Sequence, residues 1–258
     1  MNDPKPSLED NIKKWAETSG HGLEMRVAQA LAPADLGAHY LDTEEKKWRE
    51  ADVVKECRSR TSRVKVLYNV ETKDTRDSWV AFRGNTRLRR DNDLVARFYA
   101  YTWQSNTNQL DDVWDCPLLT STEPTYYKVA KFNTKEDRPA QKDQRNEPWD
   151  AVMQALSAAR GFLAIRQEYE AMVRRDEPKA HEVNPNLALF VPIVLTGGPL
   201  FTATLTADGI QIDRTERLLL MGQFPPDGRL SGVWLVQESN LEALARDMLK
   251  VPVLEGYE

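Results

Sequence analysis

Residues 187–195, Leu-Ala-Leu-Phe-Val-Pro-Ile-Val-Leu, form an almost unbroken apolar run. Pro192 lies inside it and Gly197, Gly198 and Pro199 follow at once, so it is too short and too interrupted to cross a membrane. Its pattern predicts a strand buried on both faces, and such a strand needs a layer of structure above and below its sheet. That requirement points to an α/β fold. With 41% hydrophobic and 29% charged residues, the 258-residue chain has enough apolar material for a core and too much for a disordered protein.

The remaining elements fall around that strand. Ser7, with Asp10 three residues on, opens a short helix. Leu23, Val27, Ala30 and Leu31 recur at helical spacing and stop at Ala32-Pro33 and Gly37. Extended runs follow at 38–43, 51–58 and 63–73, with a further short one at 79–82. In the third, Val64, Val66, Tyr68 and Val70 face one way and Lys65, Leu67, Asn69, Glu71 and Lys73 the other. Pro148 sits in the first turn of a long helix whose apolar face carries Val152, Leu156, Ala159, Leu163, Tyr169 and Val173. Short strands are predicted at 201–205, 209–212 and 233–236, with a closing helix at 241–249. From 84 to 147 the periodicity fades into polar residues, interleaved with Phe98, Tyr99, Tyr101, Trp103, Tyr126 and Tyr127. These aromatics suit a core better than base stacking. The expected architecture is one domain over residues 1–258, an α/β sandwich around a central mixed sheet. Its core spans about 20–83 and 148–205, its inserted polar segment about 84–147, and its C-terminal strands and helix 206–258.

Cys57 and Cys116 are the only cysteines, too few for a disulfide framework and without the neighbours a zinc site needs. Cys57 suits a small core position. The first residues, Met-Asn-Asp-Pro-Lys-Pro, lack the apolar stretch of a secretory signal, so a cytoplasmic protein with no membrane association is expected. His21, His39 and His181 are scattered, and no Ser/His/Asp or Cys/His arrangement is visible. Gly197-Gly198 has no phosphate-loop pattern and reads as a tight turn.

The chemistry lies on the hairpin. With its turn centred between Thr61 and Ser62, antiparallel pairing sets Asp52 opposite Glu71. Opposed side chains on one face have Cβ atoms about 4.5–5.5 Å apart, a spacing at which two carboxylates repel unless a cation lies between them. Lys73 shares their face, and Glu24 borders the apolar stripe of the preceding helix, which directs it toward the sheet. Three acids and a lysine suit metal-assisted phosphodiester hydrolysis, with carboxylates holding Mg²⁺ or Mn²⁺.

The stretch Glu50-Ala51-Asp52-Val53-Val54-Lys55, followed by Val66-Leu67-Tyr68-Asn69-Val70-Glu71-Thr72-Lys73, resembles the PD-(D/E)xK nuclease superfamily, with its acid on one strand and E-x-K on the next. Glu24 resembles that superfamily's first motif. The resemblance covers about residues 20–83 closely, while the Pro148 helix and the 187–195 strand fit later core elements loosely. Residue 51 is Ala where the motif has Pro, at a position that varies widely in the superfamily. The resemblance implies a restriction-endonuclease-like fold and a Mg²⁺-dependent endodeoxyribonuclease. It places metal ligands at Asp52, Glu71 and Glu24, the catalytic lysine at Lys73 and an auxiliary group at Gln154. DNA is the implied substrate, and restriction or bacterial phage defence the expected setting, with a homodimer or a partner protein of a defence complex. The alternatives are a catalytically inactive module that binds nucleic acid or a partner, and a structural subunit whose carboxylates form only ion pairs.

With 40 acids against 35 bases and a net charge of −5, any DNA contact must be local. Arg87, Arg89 and Arg90, just after the E-x-K strand, are the candidates, weighed against simple pairing with Asp91 and Asp93.

Overall fold

The computed structural model describes residues 7–18, 20–58, 64–83, 99–102, 118, 125–132, 147–176, 187–226 and 230–250. The helices are α1 (Leu8–Thr18), α2 (His21–Ala30), α3 (Glu147–Asp176) and α4 (Leu241–Met248). The strands are β1 (Asp35–Asp42), β2 (Lys47–Arg58), β3 (Val64–Lys73), β4 (Ser78–Arg83), β5 (Tyr99–Thr102) and β6 (Thr125–Phe132). They continue with β7 (Leu187–Thr196), β8 (Leu200–Thr206), β9 (Gly209–Thr215), β10 (Arg217–Gln223) and β11 (Leu230–Gln237). α1 starts at the anticipated cap: the Asp10 N–H donates to Ser7 Oγ at 3.1 Å, and the Ser7 N–H donates to the Asp10 carboxylate at 3.2 Å.

The strands form one mixed sheet in the order β1-β2-β3-β7-β11-β10-β6-β4-β8-β9. β1, β2 and β3 are antiparallel neighbours, and β7 lies parallel to β3 from Val64↔Leu187 to Lys73↔Thr196. The second edge of β7 is shared, with β5 antiparallel along Leu187–Phe190 and β11 parallel along Ile193–Thr196. As the apolar run requires, β7 is covered on both faces. Leu189, Val191, Ile193 and Leu195 join Val64, Val66, Tyr68 and Val70 beneath α2 and α4. Ala188, Phe190 and Val194 pack on the other side against Ala151, Val152, Ala155, Leu156 and Ala159 of α3. Each buried Val, Leu, Ile or Phe among them contributes on the order of 1.5–3 kcal/mol by leaving water, and this fixes the three layers. Among the described residues, no helix is long and apolar enough to cross a membrane.

Three expectations need correction. The segment at 84–147 is more than a polar elaboration, since it supplies β5 and β6, and β6 links β10 to β4. The chain after 205 is not peripheral either. β10, which the sequence pattern did not predict, buries Leu218, Leu219, Leu220 and Met221, and β11 buries Val233 to Val236, both in the middle of the sheet. The apolar face expected of α3 stops short: Tyr169 is exposed while Glu170 is fully buried and ion-paired to Arg166.

Candidate active site

The expected hairpin register is present, with Val53 opposite Val70 and Arg58 opposite Lys65. The β2–β3 ladder ends at the Val53↔Val70 rung, while β3 runs on beside β7 to Lys73↔Thr196. Asp52 is the next residue along β2. Its Oδ2 takes the place of the missing rung, accepting from the Thr72 N–H at 2.7 Å and from the Thr72 hydroxyl at 3.0 Å. Among the described residues, nothing donates to Oδ1, so the carboxylate is oriented through one oxygen with the other left open.

β1 yields at the same level. It pairs with β2 at Leu36↔Val53 and Ala38↔Ala51, and Gly37 between them has φ 66°, a left-handed conformation that L side chains rarely adopt. A side chain there would also meet the Glu50 carboxylate. Both neighbours of β2 therefore relax around Asp52.

Glu71 and Lys73 project toward α3, as the alternation of β3 requires. Lys73 Nζ donates to Glu71 Oε1 at 2.7 Å and to Gln154 Oε1 of α3 at 3.0 Å. The helix is held in that position one residue on, where the buried Asn69 donates through Nδ2 to the Ala155 carbonyl at 2.8 Å. Burial is the largest influence on Glu71, and the nearby Asp52 charge adds to it. Together they push its carboxyl up to about 7, against the opposing pull of Lys73. The C-terminal ends of β3 and β7 are tied by the Gly197 N–H donating to the Lys73 carbonyl at 3.0 Å. Gly198 packs so closely on the loop after β3 that a side chain would run into the Asp77 carbonyl, so close packing, and not a left-handed turn conformation, is what requires glycine there.

Of the residues singled out in the sequence, Asp52, Glu71, Lys73 and Gln154 come together at one strand end. Glu24 does not complete a cage. Its helix packs Leu23 and Val27 on the face opposite α3, its carboxylate lies 3.3 Å from His21 Nδ1, and it reaches Glu71 only as a charge. Among the described residues, no group of three or more His, Cys, Asp or Glu side chains is gathered to hold a metal ion. What the site offers is two carboxylates of hard oxygen donors, which fits Mg²⁺ or Mn²⁺ where water and substrate oxygens complete the shell. Arg87, Arg89 and Arg90 lie outside the described residues. At the hairpin, Glu56 is ion-paired to both Arg58 and Lys65.

Thr72 and Asn69 escaped the sequence analysis. Thr72 occupies the x of E-x-K, where no residue type stands out, and the alternation of 64–73 gives Asn69 a strand face but no partner. A polar side chain on a strand facing an apolar helix was the available signal for Asn69. No protein-family model, curated protein or solved structure matches this chain.

Proposed function

We propose that the chain is a metal-dependent nuclease of the PD-(D/E)xK kind, an endonuclease hydrolysing phosphodiester bonds of DNA on a restriction-endonuclease-like core. The observation that carries the proposal is the opening of the β2–β3 ladder at Asp52 and Glu71, with Lys73 bonded to both Glu71 and Gln154. The order α2-β1-β2-β3, then α3-β7 after the intervening β4, β5 and β6, with β7 parallel to β3, supports the core assignment. A cytoplasmic location and a task in restriction or phage defence belong to the same proposal.

Asp52 and Glu71 would hold Mg²⁺ or Mn²⁺, and two carboxylates suffice because Mg²⁺ keeps several waters and takes substrate phosphate oxygens. When bound, the ion supplies an activated water and neutralises charge on the phosphate. Thr72 holds Asp52 through Oδ2 alone, so Oδ1 would be the oxygen available to an ion. Lys73 keeps its ammonium at the same strand end, where it steadies the attacking water or the phosphate, and Gln154 fixes its direction. Glu24 adds negative charge at longer range.

The test is cleavage of circular and linear duplex DNA by the purified chain in Mg²⁺ and in Mn²⁺. Asp52→Ala, Glu71→Ala and Lys73→Ala should each abolish cutting while melting cooperatively. Full activity in any two of the three sinks the assignment. A wild type that cuts neither DNA nor RNA in any divalent metal favours the inactive binding module.

A further inference from the structure

β9 ends the strand order, and among the described residues nothing pairs with its outer edge. Gly209 to Arg214 are exposed without exception. Edge strands of this length usually carry a device against pairing with other chains, such as Pro, Lys or a bulge. β9, Gly-Ile-Gln-Ile-Asp-Arg-Thr, has no Pro or Lys, its charges Asp213 and Arg214 are confined to its C-terminal half, and its register with β8 runs without a bulge from Leu200↔Thr215 to Thr206↔Gly209. One face of the hairpin is also apolar: Leu205, Ile210 and Ile212 are 70%, 71% and 53% exposed, and Leu205 stands opposite Ile210.

We infer that β9 pairs antiparallel with β9 of a second copy of this chain, about a two-fold axis through Gln211. The strand is self-complementary in that register. Ile210 falls opposite the partner subunit's Ile212, and Asp208, in the turn just before β9, comes to the level of the partner subunit's Arg214. Directly opposed residues share a face, so four isoleucines and two copies of Leu205 merge into one apolar strip. An axis through Ile212 would set Ile210 against Arg214, and one between Gln211 and Ile212 would set apolar against polar along the whole strand. Charge and apolar pattern thus select the same register. The contact is isologous, so it closes as a dimer instead of growing into a fibre, and it covers the open edge. None of this depends on the nuclease proposal.

Light scattering and sedimentation of the full chain from low to high micromolar concentration test it. Wild type should have twice the chain mass. Ile210→Lys and Ile212→Lys alter only exposed side chains, so each should run as a monomer with an unchanged melting temperature. Asp208→Arg should weaken the dimer, and combining it with Arg214→Asp should restore it. Gln211→Cys should form an intermolecular disulfide on mild oxidation that wild type does not form, because its Cβ would face its copy at about 4.5–5.5 Å. A wild type that stays monomeric across the range overturns the inference, whether or not some other protein binds the edge. So does a dimer that survives both lysine substitutions, and a dimer in which Gln211→Cys fails to cross-link overturns the register.

Discussion

Between Val53↔Val70 and Arg58↔Lys65 the β2–β3 pair is a closed ladder whose Val53, Cys57, Val66, Tyr68 and Val70 lie beneath α2, whereas one residue further on, at Asp52 and Glu71, the same strands hold charge in a gap. The two ends have opposite relations to stability. At the closed end, burial removes apolar surface from water and favours the fold. At the open end, burial works against the charged form and raises Glu71 to about 7 from an ordinary value of 4.5. A carboxyl raised in the folded state favours folding most when protonated. Its contribution is full below the ordinary value, declines as pH rises from about 4.5 to about 7, and is gone above that. The span is worth on the order of 3 kcal/mol. Stability and chemistry are thus divided along one strand pair, a single rung apart.

The sharpest way to break this division is to compare one large truncation from each end. Tyr68→Ala should cost about 3–5 kcal/mol in urea unfolding, as a buried aromatic lost from a packed layer. Glu71→Gln should instead raise the unfolding midpoint at pH 8 without metal. A Glu71→Gln variant as unstable as Tyr68→Ala would show that the open end is part of the core.

Next in size is the pH dependence. Unfolding free energies of wild type and Glu71→Gln should differ by roughly 3 kcal/mol at pH 8 and converge near pH 4.5 as wild type regains its proton. Mn²⁺ should close the gap at pH 8 and do much less at pH 5.5, where protons compete for the same oxygens. A difference that ignores pH would remove burial as the cause.

Thr72 refines the boundary itself. Thr72→Val keeps the backbone donor to Asp52 but deletes the hydroxyl bond, and should cost about 1 kcal/mol of stability. It should also weaken Mn²⁺ binding, read by calorimetry, while Thr72→Ser keeps both properties. Equal metal affinity in the two variants would mean that Asp52 needs no hydroxyl to hold its direction.

The smallest effect belongs to the far wall. Gln154→Ala removes one of two acceptors for Lys73 and leaves Glu71 in place, so the melting temperature should not move measurably. Any cleavage rate should fall severalfold, less than for Lys73→Ala. A loss as complete as that of Lys73→Ala would give Gln154 a direct part in the chemistry.

Local pattern made the charged end visible in the sequence. The alternation of 64–73 separates Val70 from Glu71 by face, and the hairpin spacing sets Asp52 at the level of Glu71, as the Val53↔Val70 rung confirms. The side from which α2 approaches was not legible, because Leu23 and Val27 specify a buried face but not which surface of the sheet buries it. Glu24 was therefore placed too close. β10 escaped for a related reason: Leu218 to Met221 form a short apolar run between polar residues, and its central position depends on β11 and β6, which are remote signals with no periodicity of their own. Tyr169 and Glu170 show the converse. Helical spacing sets Tyr169 on the apolar stripe, yet it is exposed, while Glu170 beside it is buried against Arg166.

β3 and β7 are paired along their full lengths although more than a hundred residues separate them in the chain. Proteins are made from the N-terminus, and pairing across so long a loop comes late in folding. Asp52, Glu71 and Lys73 therefore leave the ribosome well before α3 and β7 exist to cover them. Until then they are ordinary solvated charges on an incomplete hairpin, with Glu71 titrating like any other glutamate and Lys73 lacking its contact to Gln154. The environment that sets Glu71 apart is a property of the finished chain, acquired only when the strand ending at Thr196 docks.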